Sequence, residues 1–202
     1  MDYKEETRHA YNTFPDTFDN KFETYLQQSG EKINKFLKRL PSNSKILDAG
    51  SGAGNHAVHF QQAGHNVICI DISEEMIKLC RKKALSAQIM DFEHLKFSPE
   101  SFDGVFAYTS LLHVPKEKIR DILEQISRVL KPSGIFFLGM KKGNNEGFRV
   151  QDKYPGIKRW FSLYTDKELR TYLEPLFHIE SYFEITRDEQ HSYMNYILKK
   201  KF

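Results

Sequence analysis

The sequence is poor in most of the residues that announce a specialised class. Its 202 residues include two cysteines and one tryptophan. Cys69 lies in the apolar run Val67-Ile68-Cys69-Ile70 and Cys80 in a helical pattern. Neither stands at metal-ligand spacing, so both read as reduced core thiols rather than a disulfide framework. No apolar run approaches the roughly 20 residues that cross a bilayer, so no membrane association is expected. The opening residues, Met1-Asp2-Tyr3-Lys4-Glu5-Glu6, lack the apolar stretch of a signal peptide, which makes a cytoplasmic location the expectation. There is no internal repeat and no low-complexity linker. Nor does one sign of charge dominate: 30 Lys and Arg against 27 Asp and Glu leave +3, too mild to point to nucleic acid. The basic run Lys199-Lys200-Lys201 reads as a solvated chain end. What remains is an ordinary globular composition, 40% hydrophobic and 28% charged, in a length that suits one α/β core.

The hydrophobic pattern fills that length with alternating elements. Phe18 to Leu40 reads as helical, with a break at Ser29-Gly30. Short apolar runs then predict strands at Lys45–Ala49, Asn66–Ile70, Ala87–Met90, Phe102–Tyr108 and Ile135–Met140. Helices are predicted between them: Asn55 to Ala63, Ser73 to Ala84 with Ser73 as N-cap, and Pro115 to Leu130 with one apolar stripe. Strands alternating with helices imply a parallel sheet covered on both faces. The end of the chain differs. Thr165-Asp166-Lys167-Glu168 fits a capping box that starts a short helix. His178–Thr186 and Tyr193–Lys199 then read as two antiparallel strands with no helix between them. The expected organisation is a single domain over 1–202: an N-terminal helical cover (1–44), a core (45–140), and a lid with a terminal hairpin (141–202).

The most informative segment is Ile46-Leu47-Asp48-Ala49-Gly50-Ser51-Gly52-Ala53-Gly54. A buried strand runs into three glycines at alternate positions and then a helix. Such a turn lets backbone approach a ligand closely, and the helix N-terminus offers unpaired N–H groups. The spacing is G-x-G-x-G; Asn55 stands where a dinucleotide fingerprint has its third glycine. Asp48, two residues before the glycines, would repel a pyrophosphate and attract an ammonium or a sulfonium. Asp71 ends the second strand about 20 residues past the first glycine, where an acid accepts both ribose hydroxyls of a nucleoside.

Residues 45 to 140 resemble the class I S-adenosylmethionine-dependent methyltransferase family. The resemblance implies a Rossmann-like, doubly wound, mostly parallel seven-stranded sheet with an antiparallel C-terminal hairpin and helices on both faces. It implies S-adenosylmethionine as cofactor and S-adenosylhomocysteine as product. Asp48, Gly50, Ser51, Gly52 and Gly54 match the motif that holds the methionine moiety, with Ser51 where the family often has cysteine. Asp71 matches the ribose acid, and Asp91-Phe92 the pair that reads adenine. Ile72, Met76 and Ala107 are placed at the donor on the same ground. Phe102-Asp103-Gly104-Val105-Phe106-Ala107 matches the fourth strand, and Tyr108 to His113 the loop facing the methyl group. The start of that strand leaves Asp103 reading as a brace of the sheet.

Methyl transfer from a sulfonium leaves a neutral thioether, so no general acid is required; the protein supplies alignment and excludes water. Tyr108 and His113 are catalytic candidates by position, and Tyr11 because the family commonly covers its donor with an N-terminal segment. The aromatic and basic stretch 141–164 is the expected acceptor lid, with Arg149, Arg159, Trp160 and Tyr164 at the acceptor; its rival reading is a hairpin packing its aromatics on the sheet edge. No metal is expected, because the available ligands are scattered carboxylates and His113. A small-molecule acceptor is favoured. The alternatives are an RNA methyltransferase acting on a tRNA base, a protein that holds S-adenosylmethionine without turnover, and, remotely, a nicotinamide oxidoreductase. The chain is expected as a monomer or homodimer. Calorimetry should find binding of S-adenosylmethionine and S-adenosylhomocysteine and none of NAD; tight NAD binding with no response to the methyl donor would overturn the reading of the glycine turn.

Overall fold

The structure, a computed structural model, describes residues 2–19, 32–150, 154–188 and 191–201. Five strands form its parallel core: β1 (Lys45–Ala49), β2 (Asn66–Asp71), β3 (Ser86–Ile89), β4 (Phe102–Tyr108) and β5 (Leu130–Lys141). Four helices follow β1, β2, β4 and the later hairpin: α2 (Asn55–Gln62), α3 (Glu74–Lys82), α4 (Ile119–Val129) and α5 (Asp166–Leu173). A further helix, α1 (Tyr3–Thr13), precedes them all. The chain then adds a separate two-stranded sheet, β6 (Glu146–Val150) with β7 (Lys158–Ser162), and ends in β8 (Phe177–Asp188) and β9 (His191–Lys200).

The main sheet has seven strands in the order β3-β2-β1-β4-β5-β9-β8. Ile46 pairs with Val67 on one side and Gly104 on the other, all parallel. β9 enters antiparallel to β5, with Ile135 opposite Lys199 and Lys141 opposite Tyr193. Successive side chains of a strand point to opposite faces, and both faces are covered. Phe136 and Leu138 join Leu47, Val105 and the stripe Ile119, Ile122, Leu123, Ile126 and Val129 of α4. Phe137 joins Ile46, Phe60 and Phe106 on the other face, beneath Ile33 and Phe36. Near-continuous apolar strands are what a sheet buried on both sides demands.

The predicted strands and helices are present, with local differences at their ends. Residues 32–37 are helical, as expected within 18–40; 20–31 lie outside the described residues. The helix predicted from Pro115 opens instead with a 3₁₀ turn, Lys116–Lys118, and becomes α-helical at Ile119. The Lys116 N–H is committed to the Glu146 carboxylate at 2.8 Å, which ties this turn to β6. β5 begins at Leu130 rather than Ile135, and the ladder slips between Phe102 and Gly104. Ser133, at φ +59°, makes the predicted turn a kink within the strand. The Ser73 and Thr165 caps form as predicted, accepting from Met76 N–H and Glu168 N–H. Asp103 braces the start of central β4, accepting from Lys45 N–H and Lys131 Nζ at 2.8 and 2.7 Å. Cys69 and Cys80 are buried free thiols.

Helix α1 is an addition that no apolar periodicity announced, because its buried residues are Thr7 and Ala10. Its signals are chemical: Asp2 caps Lys4 N–H, and Glu5 and Glu6 sit in the first turn where the helix dipole favours anions. No helix among the described residues is long and apolar enough to cross a membrane. Because Ile126 is fully buried under the sheet, Ile126→Ala should cost about 2–5 kcal/mol of stability, read from urea unfolding. A loss below about 1 kcal/mol would mean that α4 does not carry the core on that face.

Candidate functional site

The carboxyl ends of β1, β2 and β4 and the turn after β3 open into one cavity of about 860 Å³, its mouth included. The glycine turn makes its floor. The N–H groups of Gly50 and Ser51 both donate to Ile70 O, at 2.9 and 3.0 Å, and fold the chain over the end of β2. Gly50 has φ +73°, and a Cβ there would lie 2.3 Å from Ser110 Cβ, so the loop after β4 closes directly on bare backbone. Gly54, at φ +78°, turns the chain into α2.

Three acids descend from the three strand ends. Asp48 is 2% exposed, and its Oδ2 has no hydrogen-bond partner among the described residues. Burial, and then the charge of Asp71, push its pKa up to about 8. The arrangement fits a ligand that brings a cation, because a donor to Oδ2 and the charge compensation are both lacking among the described residues. Asp71 accepts from Gly52 N–H through Oδ2 at 3.0 Å and from Ser73 N–H through Oδ1 at 2.9 Å. Those bonds fix its carboxyl group at the cavity wall; burial raises its pKa against them. Asp91 accepts from Glu93 N–H at 2.8 Å, with Phe92 beside it in the lining.

The roof is α1. Tyr3, Lys4, Thr7 and Tyr11 line the cavity from one face of that helix. Lys4 Nζ bridges Asp91 and Glu93 at 2.6 and 2.9 Å, and the Tyr3 hydroxyl donates to Glu93. Asn12 Oδ1 accepts from Ser73 Oγ at 2.7 Å. At the far end Tyr11 OH lies 3.0 Å from His113 Nε2, and His113 Nδ1 lies 2.6 Å from Trp160 O. A carbonyl can only accept, so Nδ1 carries the imidazole proton and Nε2 receives the Tyr11 hydroxyl. Arg159 donates to the same hydroxyl oxygen at 3.0 Å. Burial, and then Arg159, lower the His113 pKa to about 3, and burial raises that of Tyr11. The pair is neutral at physiological pH.

Eight of the eleven residues expected at the donor line this cavity: Asp48, Gly50, Ser51, Gly52, Asp71, Ile72, Asp91 and Phe92. Gly54, Met76 and Ala107 stand behind it. The three catalytic candidates, Tyr11, Tyr108 and His113, line it as well. The four residues expected at the acceptor do not. Arg159 is buried behind Tyr11. Trp160 meets the site through its backbone carbonyl, while its indole N–H donates to Ser162 Oγ. Tyr164 is fully buried beneath Lys116. Arg149 donates to Asn145 at the hairpin surface. Within the expected lid, β6 and β7 pair antiparallel, with β7 packed against α1. Sequence reasoning missed Tyr3, Lys4, Thr7 and Glu93. The Asp2 cap and the spacing 3, 7, 11 were the available signals. Among the described residues no three of His, Cys, Asp and Glu gather as metal ligands would.

The Asp48 carboxyl gives a pH signature. Its folded pKa, about 8, is above the ordinary 3.8, so the folded state holds a proton that the unfolded state has released. Stability therefore falls as pH rises across the window from about 4 to about 8. Asp48→Asn, which mimics the protonated form, should melt with the ligand-free parent at pH 4 and progressively above it towards pH 9. Parallel melting curves across that range would show that Asp48 ionises freely.

Three comparisons with known proteins bear on this geometry. Residues 46–134 match the family model described as "Methyltransferase domain". The chain is 31% identical over 128 residues to the tRNA (carboxymethyluridine(34)-5-O)-methyltransferase of Arabidopsis thaliana, covering 61% of this chain and 30% of that protein. It is 31% identical over 136 residues to the ubiquinone/menaquinone biosynthesis C-methyltransferase UbiE of Rickettsia massiliae, covering 60% and 54%. The chain thus spans about half or less of the length of these curated relatives. Among solved structures it is similar to the 1,6-didemethyltoxoflavin-N1-methyltransferase of Burkholderia thailandensis, crystallised with 1,6-didemethyltoxoflavin and S-adenosylhomocysteine. That likeness has a TM-score of 0.74 at 18% identity, covering 100% of this chain and 92% of the other, and concerns the fold. The matched segment holds the glycine turn, Asp48, Asp71 and Asp91, and the sheet order is that of the expected fold; residues 46–134 carry a methyltransferase domain similar to those of the class I S-adenosylmethionine-dependent family.

Proposed function

We propose that this chain transfers a methyl group from S-adenosylmethionine to an O, N or S nucleophile of a small molecule, its 202 residues working as one methyltransferase domain in the cytoplasm. The observation that carries the reading is the roof: α1 covers the cavity, with Tyr11 held to His113 at 3.0 Å, and leaves a mouth into a partly covered pocket rather than a long open groove. Asp48 and the glycine turn would hold the methionine end, Asp71 the ribose, and Asp91 with Phe92 the adenine. The donor supplies an activated methyl on a sulfonium. The chain's own contribution is alignment and exclusion of water.

Tyr11 and His113 act as a neutral polar surface that orients the acceptor. A histidine whose pKa is held near 3 is a poor base at pH 7. The nucleophile therefore arrives ready to attack or gives its proton to solvent. Arg159 and Trp160 serve the acceptor indirectly, as positioning residues: the guanidinium fixes the Tyr11 oxygen and the Trp160 carbonyl fixes the imidazole. Tyr108 faces the acceptor from β4.

Radiolabelled methyl donor, offered with metabolite fractions and with bulk tRNA, tests the acceptor class. Label in the small-molecule fraction is expected; label confined to tRNA would replace this reading with the nucleic-acid one that the Arabidopsis relative's name suggests. Arg159→Met should leave S-adenosylhomocysteine affinity within about twofold while lowering turnover by about 100-fold, the cost of a misplaced reacting group. Parallel loss of melting temperature and donor binding would show Arg159 to be structural.

A further inference from the structure

Lys32 is 6% exposed, yet no carboxylate pairs with it among the described residues. Its ammonium nitrogen lies 3.5 Å from the Tyr108 hydroxyl oxygen and 5.4 Å from the centre of that ring. The charge nearest in effect is of its own sign: burial, and then Arg187 of β8, lower its pKa to about 8. His56 is a further neighbour, and it also feels the Lys32 charge. A buried ammonium with no anion beside it is costly, and a cationic neighbour adds to the cost. Simple packing would be served better by methionine.

The position explains what the charge is for. Tyr108 and His56 both line the cavity. They stand at β4 and α2, on the opposite side of the strand row from Asp91 and Phe92, which follow β3. The Tyr108 ring is packed tightly in place: a Cβ on Gly139 of the adjacent strand would lie 2.3 Å from Tyr108 Cδ2. The cavity wall at Tyr108 is therefore rigid and backed by a positive charge. The donor end of the same cavity carries three acids, Asp48, Asp71 and Asp91. Asp91 is paired with Lys4 there, whereas the Lys32 charge behind Tyr108 has no carboxylate partner among the described residues.

We propose that this corner is a subsite for an anionic group of the acceptor, a carboxylate or a phosphate, held at the cavity wall by the Tyr108 hydroxyl with the Lys32 ammonium close behind it. The inference rests on the methyltransferase reading for the word acceptor, and names the class of molecule that the cavity takes: a small anion-bearing one. The ammonium donates to the phenol oxygen, which leaves the phenol O–H to donate to the anion, and the low-dielectric surroundings strengthen the attraction between the two charges. The binding would relieve the unpaired charge of Lys32.

The test uses the whole protein loaded with S-adenosylhomocysteine and titrated calorimetrically with benzoate, phenyl phosphate and the neutral benzamide. At least one of the two anions should bind tenfold or more tightly than benzamide, and which one does distinguishes carboxylate from phosphate. Lys32→Gln should abolish the preference and Lys32→Arg should keep it, with S-adenosylhomocysteine affinity the same in all three proteins. If S-adenosylhomocysteine does not bind the parent, the donor reading fails; the same titrations on the unloaded protein still decide the anion subsite. Lys32→Met guards against misfolding: it removes a buried charge at nearly constant shape, and should melt at or above the parent's temperature while losing the anion preference. Equal affinity for anions and benzamide, no binding of any of the three, a preference that survives Lys32→Gln, or a Lys32→Met protein that melts well below the parent would each overturn the proposal.

Discussion

A carboxyl group at the end of β1 is held where a carboxylate is hard to keep. Asp48 has lost its water, one oxygen has no donor, and Asp71 adds a second acid nearby. The glycine turn that follows cannot relieve it, because the N–H groups of Gly50 and Ser51 are spent on Ile70 O. Without a ligand the carboxyl group keeps a proton; a cation of the right size would take its place. Much of the surrounding structure serves that unmet demand. β1 is central and buried so that Asp48 emerges at one point, β2 places Asp71 beside it, and Ser110 packs on Gly50 so that the floor cannot move.

The parallel core was legible because burial on two sides leaves a coarse trace. Ile46-Leu47 and Val105-Phe106 are apolar runs short enough to be strands, and α4 repeats its buried side at helical spacing. The positions of Asp48, Asp71 and Asp91 were legible for a different reason: each stands at or just past a strand end, a place that a strand prediction fixes closely. The roof was not. α1 buries only Thr7 and Ala10 and holds itself down through Lys4, Tyr3 and Asn12, polar side chains whose partners are some 60 to 90 residues away. Long-range polar pairing leaves no periodic mark. Arg159 and Trp160 show the same limit. Their residue types suggested contact with a ligand, but the structure uses one guanidinium and one backbone carbonyl to hold other side chains in place.

The two ends of the cavity are built on opposite electrostatic plans. At the β3 end, carboxylates meet Lys4 and Lys118 from outside the donor motif, so the charges there are paired. At the β4 end, Lys32 sits beside a phenol and an imidazole, groups that are polar but uncharged. Between them His113 and Tyr11 remain neutral because burial opposes ionisation of both. Such a middle stretch suits a reaction that moves a positively charged group from one end to the other without moving a proton.

The strand order also bears on how the protein is made. β9 lies between β5 and β8, although it is the last of the described strands in the chain. During synthesis, β5 and β8 exist before the strand that joins them. Until residue 200 has emerged from the ribosome, each presents an open edge of unpaired backbone groups to water. The apolar residues Tyr196, Ile197 and Leu198 then close both halves of the core in a single late step. A nascent chain that stalls shortly before that point carries the glycine turn complete and its sheet divided, with apolar surface and strand edges exposed to wrong partners.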